Sequence, residues 1–301
     1  MSELSLATAR PLFVDCHEGI NHICFSPDGA RQAISDVRMR VQVFEGDQAI
    51  FDHNFTSLSD RVRPTERVRG LGFCPASETL FVIAGEAISA IDTREGAVLW
   101  DYVPPRSFGF LIISPSALAT SRQGELAVSF DNGSIGVWDA SGHIRSLWRD
   151  NDAPRYLGFS PDGSRIFGTD GFSLCAWDAV SRQKTFRLKL PERVFGADFH
   201  PNRELVATRG LYSVLLWDMK SGKLLGQVPV HGGLPIVAFH PKEDVLLVAD
   251  KYCARVFDFH GNLLRVLETN GPRVVSVAFH PSGESLFLGC DDRTLMKFEL
   301  N

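Results

Sequence analysis

Residues 159–178 read FSPDGSRIFGTDGFSLCAWD, and this stretch decides the fold. It contains a Phe-Ser-Pro-Asp-Gly turn, an apolar strand, a second turn at Asp170-Gly171, and an apolar strand that ends in Trp177-Asp178. The phrase recurs every 40 residues, with aromatic anchors at Phe159, Phe199, Phe239 and Phe279. A fixed period of this length predicts a repeat architecture in which each copy is one supersecondary unit.

Three earlier, less regular copies bring the number to seven. Their anchors are Phe25, Phe73 and Ser121, where the third copy lacks the Phe. Ser114-Pro115 is a false anchor, because it lies too far upstream of Trp138. The seven strand ends are, in chain order, Phe44-Glu45, Ile91-Asp92, Trp138-Asp139, Trp177-Asp178, Trp217-Asp218, Phe257-Asp258 and Phe298-Glu299. The copies span nearly all of the 301 residues, so we expect one domain over residues 1–301.

Each copy has room for four short strands and no helix. In the copy at residues 193–230, the pattern predicts strands at 194–199, 205–208, 213–217 and 224–228. The strands are apolar on both faces, so each sheet must be covered on both sides. Radial packing of the sheets achieves this. The sequence therefore predicts an all-β, seven-bladed β-propeller of four-stranded antiparallel blades.

The same residues resemble a known family, the WD-repeat β-propellers. The resemblance is carried by Phe159-Ser160-Pro161-Asp162-Gly163 with Trp177-Asp178, and by Ser134–Trp138 followed by Asp139. It implies the propeller fold and says little about function, because this scaffold hosts many activities.

One feature of that family is incomplete here. The family often links a His before the first strand to the Trp, but His17 and His231 belong to repeats with Phe44 and Phe257. The three Trp-bearing repeats have Ile112, Asn151 and Pro191 at the His position. We therefore expect no such network. Stability should rest mainly on apolar packing between blades, with Trp177 and Trp217 buried.

The chain termini predict how the ring closes. Only three residues follow Phe298, so the seventh blade lacks a fourth strand, and a spare segment at about residues 11–16 is predicted to complete it. Two long loops, at residues 55–66 and 104–118, connect a fourth strand to the next first strand and emerge on the same rim. Such loops are either tolerated insertions or places where function resides.

The composition favours a folded protein in a reducing compartment. The net charge of −5 argues against a charge-driven nucleic-acid binder. No apolar run reaches the roughly 18–20 residues that span a bilayer, and no signal-peptide pattern is visible. The six cysteines show no C-x-x-C pair or metal-ligand spacing. We expect free thiols, a cytoplasmic location, a monomer and no cofactor.

Catalytic chemistry is not evident. The chain has no G-x-S-x-G elbow, phosphate-cradling glycine loop or H-E-x-x-H helix. His200, His240 and His280 occupy the same turn of three successive blades, so we expect solvated turn residues rather than a metal site. Asp198 stands where the other copies have small residues. We expect it to be a structural ion pair with Arg193 or Arg209, with a functional role as the alternative.

Arginines are the strongest functional lead. The first strand of each blade lines the central channel and begins at the rim with the long loops. The positions six and four residues before the anchors, with one neighbouring Tyr, hold Arg67, Arg69, Arg155, Tyr156, Arg193, Phe195 and Arg273. Five arginines around one opening of an acidic protein suit carboxylate or phosphate groups, which they can grip bidentately. The alternative is that they pair with local acids or point into water.

These observations leave three functional interpretations. The first is a non-enzymatic interaction module or scaffold that binds a protein or peptide, with an acidic or phosphorylated segment, on the arginine-rich mouth. The second is a propeller that binds a phosphorylated lipid or nucleic acid, although the Phe/Leu-Arg-Arg-Gly motif of lipid-binding propellers is reduced here to Val68-Arg69-Gly70. The third is an enzyme with its site over the channel, for which no nucleophile–base pair is evident.

Overall fold

The structure is a computed structural model that describes residues 10–13, 19–55, 67–105, 113–230, 235–250, 253–269 and 272–300. Within these ranges it contains 28 strands, numbered β1 to β28 along the chain. They form seven four-stranded antiparallel sheets, which are the seven blades predicted from the repeats.

The first strand of each blade lies innermost. These strands are β2 (Ile20–Phe25), β6 (Val68–Phe73), β10 (Pro115–Thr120), β14 (Tyr156–Phe159), β18 (Ala197–Phe199), β22 (Ile236–Phe239) and β26 (Val274–Phe279). Each contacts the first strand of the next blade, and β26 contacts β2, which closes the ring around a central channel.

The second and third strands form the body of each blade. The second strands are β3 (Arg31–Asp36), β7 (Thr79–Ala84), β11 (Leu126–Phe130), β15 (Arg165–Thr169), β19 (Leu205–Arg209), β23 (Val245–Ala249) and β27 (Ser285–Cys290). The third strands are β4 (Arg40–Glu45), β8 (Ala87–Asp92), β12 (Ser134–Trp138), β16 (Ser173–Asp178), β20 (Ser213–Asp218), β24 (Cys253–Asp258) and β28 (Thr294–Glu299). The aromatic-acid pairs of the sequence thus end the third strands, as predicted.

The fourth strands form the outer circumference. They are β5 (Gln48–Asn54), β9 (Ala97–Tyr102), β13 (Ile144–Arg149), β17 (Lys184–Lys189), β21 (Leu224–Pro229), β25 (Leu263–Glu268) and, for the seventh blade, β1 (Arg10–Phe13). β1 pairs antiparallel with β28, with Arg10 opposite Lys297 and Phe13 opposite Thr294. The predicted closure of the ring by an N-terminal strand is therefore confirmed.

The hydrophobic core is divided among the junctions between neighbouring blades. Seven buried clusters are present in the described residues, one at each junction. For example, Phe81 and Ile88 of blade 2 pack with Val128 and Trp138 of blade 3. Burial at about 25 cal/mol per Å² of apolar area makes these junctions the main source of stability.

The predicted long loops are only partly described. Residues 56–66 and 106–112 lie outside the described ranges. The predicted end of the second loop at Leu118 is wrong, because Pro115–Thr120 forms β10. The missing Phe anchor hid this strand. Ser114-Pro115 is indeed no turn anchor, since the turn after β10 is at residues 121–124.

Candidate functional site: the channel mouth

The channel mouth is the end of the channel where the first strands begin. An open cavity of about 640 Å³ lies there, and all seven blades contribute residues to its wall. Because neighbouring strands are antiparallel, the turns between second and third strands and the connections to the next blade lie on the same face. The turns between first and second strands lie on the opposite face.

Four of the seven predicted site residues line this cavity: Arg67, Arg69, Arg155 and Tyr156. Arg193, Phe195 and Arg273 are not part of its wall. They lie on the same face, at the entries to β18 and β26. Arg209, which the sequence suggested only as a partner for Asp198, lines the cavity instead. Its side chain crosses directly over Gly196 to reach the mouth. A side chain at residue 196 would block this path, because its Cβ would lie 1.5 Å from the Arg209 Nε.

The guanidinium groups of Arg67, Arg155 and Arg273 are exposed and unpaired. Within the described part of the chain, no carboxylate lies within 4.0 Å of any of them. Asp131, an acid in the cavity wall, accepts a hydrogen bond from the Ser114 amide (3.0 Å). Burial lowers the pKa of His22 in the wall to about 4, so this imidazole is neutral near pH 7. The charge of the mouth is therefore positive.

A second group of mouth side chains links neighbouring blades at four of the seven junctions. Asn21 donates from Nδ2 to the Val68 carbonyl (2.6 Å), and Arg69 donates from Nη1 to the Pro115 carbonyl (3.1 Å). Equivalent bonds run from Tyr156 Oη to Phe195 O (2.6 Å) and from Arg209 Nη1 to Pro235 O (3.0 Å). Arg69 and Tyr156 thus have a structural role beside the predicted one, because they satisfy backbone carbonyls at or just before the starts of the first strands.

Arg193 lies between two aromatic rings. Its guanidinium carbon is 5.1 Å from the ring centre of Phe195 and 5.6 Å from that of Phe172. This cation–π arrangement holds the charge in place without neutralising it. The predicted ion pair between Arg193 and Asp198 is therefore wrong.

Asp198 lies at the other end of the channel, in the wall of a cavity of about 560 Å³. Its Oδ2 accepts a hydrogen bond from the Phe239 amide in the next blade (2.9 Å). No arginine lies within ion-pair distance among the described residues. Burial raises the pKa of Asp198 to about 6, against the opposing effects of its amide hydrogen bonds and of Arg209. A backbone amide, rather than an arginine, is the partner of this acid.

The raised pKa gives a testable pH dependence. Because the folded state binds the proton more tightly than the unfolded state, ionisation of Asp198 lowers stability as pH rises from about 4 to about 6. We expect Asp198→Asn to raise the free energy of unfolding by about 1–3 kcal/mol at pH 7.5, and the gain to shrink toward pH 4. Urea denaturation at both pH values measures this. A gain that grows on acidification would contradict it.

Asp162→Asn is the matched control, because the pKa of Asp162 is lowered whereas that of Asp198 is raised. Hydrogen bonds from Ser160 and Ser164 lower its pKa to about 2. Asp162→Asn should therefore reduce stability at pH 7.5 and have less effect as the pH falls.

Two of the three turn histidines are buried and the third, His280, is half-buried, so the expectation that they are solvated is wrong. His200 and His240 are 3% and 5% exposed. His240 contacts the Gly283 carbonyl of the next blade through Nε2 (2.9 Å), and His280 contacts the Gly29 carbonyl in the same way (3.1 Å). Gly283 has φ +77°, and an added Cβ there would lie 2.6 Å from the His240 Cε1. The imidazoles of His240 and His280 therefore each link two neighbouring blades.

The tryptophan environment also differs from expectation. Trp177 and Trp217 are buried as predicted, at 0% and 6% exposed. Trp177 nevertheless donates from Nε1 to Asp150 Oδ2 (2.8 Å), and Lys184 binds the other oxygen of that carboxylate (2.8 Å). Asp150, next to Asn151, is thus the polar partner of Trp177 in the place of the histidine that the family often has.

The described residues contain no group of three or more His, Cys, Asp or Glu side chains suited to a metal ion. They also contain no helix long and apolar enough to cross a membrane. The arrangement at the mouth offers unpaired cations and aromatic rings, which can bind anionic and apolar groups.

Comparison with known proteins agrees with the repeat pattern. A model of the WD domain, G-beta repeat, matches residues 261–298, which run from the end of one blade through three strands of the next. The third strands of three of the seven blades also end in a Trp-Asp pair. The match to the WD domain supports the resemblance of the chain to the WD-repeat β-propellers.

Several known proteins are similar to part of this propeller. Telomerase protein component 1 of Mus musculus is 29% identical over 60% of this chain, and ribosome biogenesis protein BOP1 of Mus musculus is 36% identical over 24%. Activating molecule in BECN1-regulated autophagy protein 1B of Danio rerio is 28% identical over 38%. The alignments cover 7%, 10% and 9% of these relatives' own lengths, so the similarity concerns repeat segments rather than whole proteins.

Proposed function

We propose that this WD-repeat propeller is a non-enzymatic interaction module that binds an acidic or phosphorylated segment of a partner protein at its channel mouth. The observation that supports this most is the set of exposed, unpaired guanidinium groups of Arg67, Arg155 and Arg273 on one face. Guanidinium groups bind carboxylate and phosphate bidentately, and they need no rearrangement here because no acid in the described part of the chain holds them.

The character of the relatives is consistent with this proposal. Their names describe a telomerase component, a ribosome biogenesis protein and an activating molecule in autophagy. We propose for this chain a similar place as a subunit or adaptor, acting as a monomer in the cytoplasm. The net charge of −5 supports a protein partner over nucleic acid, since nucleic acid would meet repulsion everywhere outside the mouth.

Charge reversal at the mouth tests the proposal. We expect the double variant Arg67→Glu and Arg155→Glu to lose at least tenfold in partner capture, because an attraction becomes a repulsion at the same place. Both side chains are exposed, so the melting temperature should change little. Immobilised wild-type and variant proteins are compared by affinity capture and mass spectrometry.

The matched control is Lys223→Glu, an exposed cation in a turn on the opposite face. Partners retained by the control and lost by the mouth variant support the proposal. Equal capture by all three proteins would exclude the mouth. Salt-sensitive binding of the mouth to a 20-nucleotide RNA or to vesicles with phosphorylated inositol lipid, without protein capture, would favour the alternative functions.

A further inference from the structure

The connection from blade 4 to blade 5, residues 190–195, is held rigidly against blade 4. The Leu190 amide donates to the Phe172 carbonyl (2.8 Å), and the Val194 amide donates to the Gly171 carbonyl (2.8 Å). Both acceptors belong to the turn between β15 and β16. The connection is therefore fixed by backbone hydrogen bonds at both of its ends.

The same connection is held on its other side by blade 5. The Glu192 carboxylate accepts a hydrogen bond from the Ser213 hydroxyl. It also packs on Gly210, where an added Cβ would lie 2.4 Å from the Glu192 Oε1. The turn at residues 210–213 is itself closed by a bond from the Gly210 amide to the Ser213 carbonyl (2.8 Å). Three segments of two blades thus form one preorganised unit on the mouth face.

This unit exposes large apolar side chains. Phe172 is 56% exposed, Leu211 is 45% exposed and Tyr212 is 76% exposed. Turn residues need not be aromatic or branched, since polar residues and glycine suit these positions. Aromatic side chains fixed on a rigid surface are also the residue types that dominate binding energy at protein interfaces.

The unit also carries positive charge that no local acid neutralises. Lys189 and Arg193 are exposed, and neither has a carboxylate within 4.0 Å among the described residues. The nearby acids are already engaged. Asp170 accepts the Phe172 and Ser173 amides (both 2.7 Å), and Glu192 is held as described above. A cavity of about 490 Å³ lies beside Phe172 and Lys189.

We call this surface the ledge and define it by Phe172, Lys189, Arg193, Phe195, Leu211 and Tyr212. It adjoins the channel mouth directly, because the Tyr156 hydroxyl of the mouth donates to the Phe195 carbonyl of the ledge (2.6 Å). One extended segment about 4–6 residues long can therefore contact both surfaces, at about 3.3 Å per residue.

We infer that the ledge binds an aromatic or branched apolar anchor residue of an acidic protein segment, whose carboxylates contact Lys189 and Arg193. This inference rests on the proposed function and specifies the partner. Charge complementarity favours an acidic protein. The ledge offers two unpaired cations together with Leu211, whereas a nucleic-acid strand requires a series of cations that follows its phosphates.

A selection from a random 12-residue peptide library on the immobilised full chain tests the ledge. We expect enriched peptides to combine an aromatic or branched apolar residue with nearby acids. Their binding, measured by fluorescence anisotropy as synthetic peptides, should fall about 10–30-fold with Phe172→Ala or Tyr212→Ala. Tyr212→Phe should retain binding. Arg193→Glu should weaken it, because the reversed charge repels the carboxylates.

The outcomes separate the ledge from the mouth. Peptides that lose affinity for Arg67→Glu/Arg155→Glu but not for the ledge variants would overturn the inference and leave the proposed function intact. Loss with the ledge variants alone would support the ledge and count against the mouth. Three other results would overturn the inference. They are a library without binders, enriched peptides that lack acids or apolar anchor residues, and tighter binding of a 20-nucleotide RNA than of any selected peptide. Lys223→Glu serves as the control for general charge effects.

Discussion

A variant that lacks residues 1–13 is expected to melt about 10 °C below the full chain, whereas one that lacks only residues 1–9 should melt with it. The first variant loses β1, which pairs with β28 over four residues. At about 1 kcal/mol for each backbone hydrogen bond, the lost ladder is worth about 2–4 kcal/mol. For a chain of this size that corresponds to a shift of about 10 °C.

The comparison of the two truncations isolates the strand. Both remove the chain terminus, but only the longer one leaves β28 as an open edge. Open edges pair with other chains, so the longer truncation should also aggregate on heating, as static light scattering would detect. Identical melting of the two variants would mean that the pairing of β1 with β28 does not contribute to the closure of the ring.

Much of the fold could be predicted from the sequence, because its period has a direct geometric meaning. Anchors such as Phe159 and Phe199 end first strands, and Trp177-Asp178 ends a third strand, so the register of each blade follows from their spacing. The closing strand followed from counting strands after Phe298. The missing anchor produced the wrong end of the second loop, since nothing marked Pro115 as the start of β10. The first strand predicted at residues 194–199 is also shorter than expected, because β18 begins at Ala197.

The side-chain contacts between blades could not be predicted in the same way. His240 and Gly283 are in contact across a blade junction. The 40-residue period places them in equivalent turns of neighbouring blades, but it does not predict that the imidazole of one turn contacts the next turn. The same holds for Arg69 and Tyr156, which donate to carbonyls of the next blade. Such contacts depend on rotamers and on the pitch between blades, and a linear pattern contains neither.

The candidate site shows the same division. The positions counted back from the anchors correctly placed Arg67 and Arg155 at one opening. The exposed Phe172 and Tyr212 were missed, because an aromatic residue in a turn of an apolar repeat gives no sign of whether it is buried. The Asp-Gly pair before Phe172 was the available signal, since a tight turn there directs the next side chain outward.

Trp177→Ala is expected to lower the free energy of unfolding by about 3–5 kcal/mol, the range for large aromatics in cores. The side chain is fully buried and packs with Leu157 and Ile166 at the junction of blades 3 and 4. Its removal also deprives the Asp150 carboxylate of a hydrogen-bond donor. Urea denaturation measures the loss, which is a large fraction of the stability of a typical domain.

A pair of milder substitutions separates packing from hydrogen bonding. Trp138 is equally buried, but its Nε1 has no hydrogen-bond partner among the described residues. Trp177→Phe and Trp138→Phe remove similar volumes, and only the first removes a bond to a carboxylate. We therefore expect Trp177→Phe to cost about 1–2 kcal/mol more. Equal costs would show that the Asp150 bond adds nothing to stability, and the expectation that stability rests mainly on apolar packing would then hold at this junction.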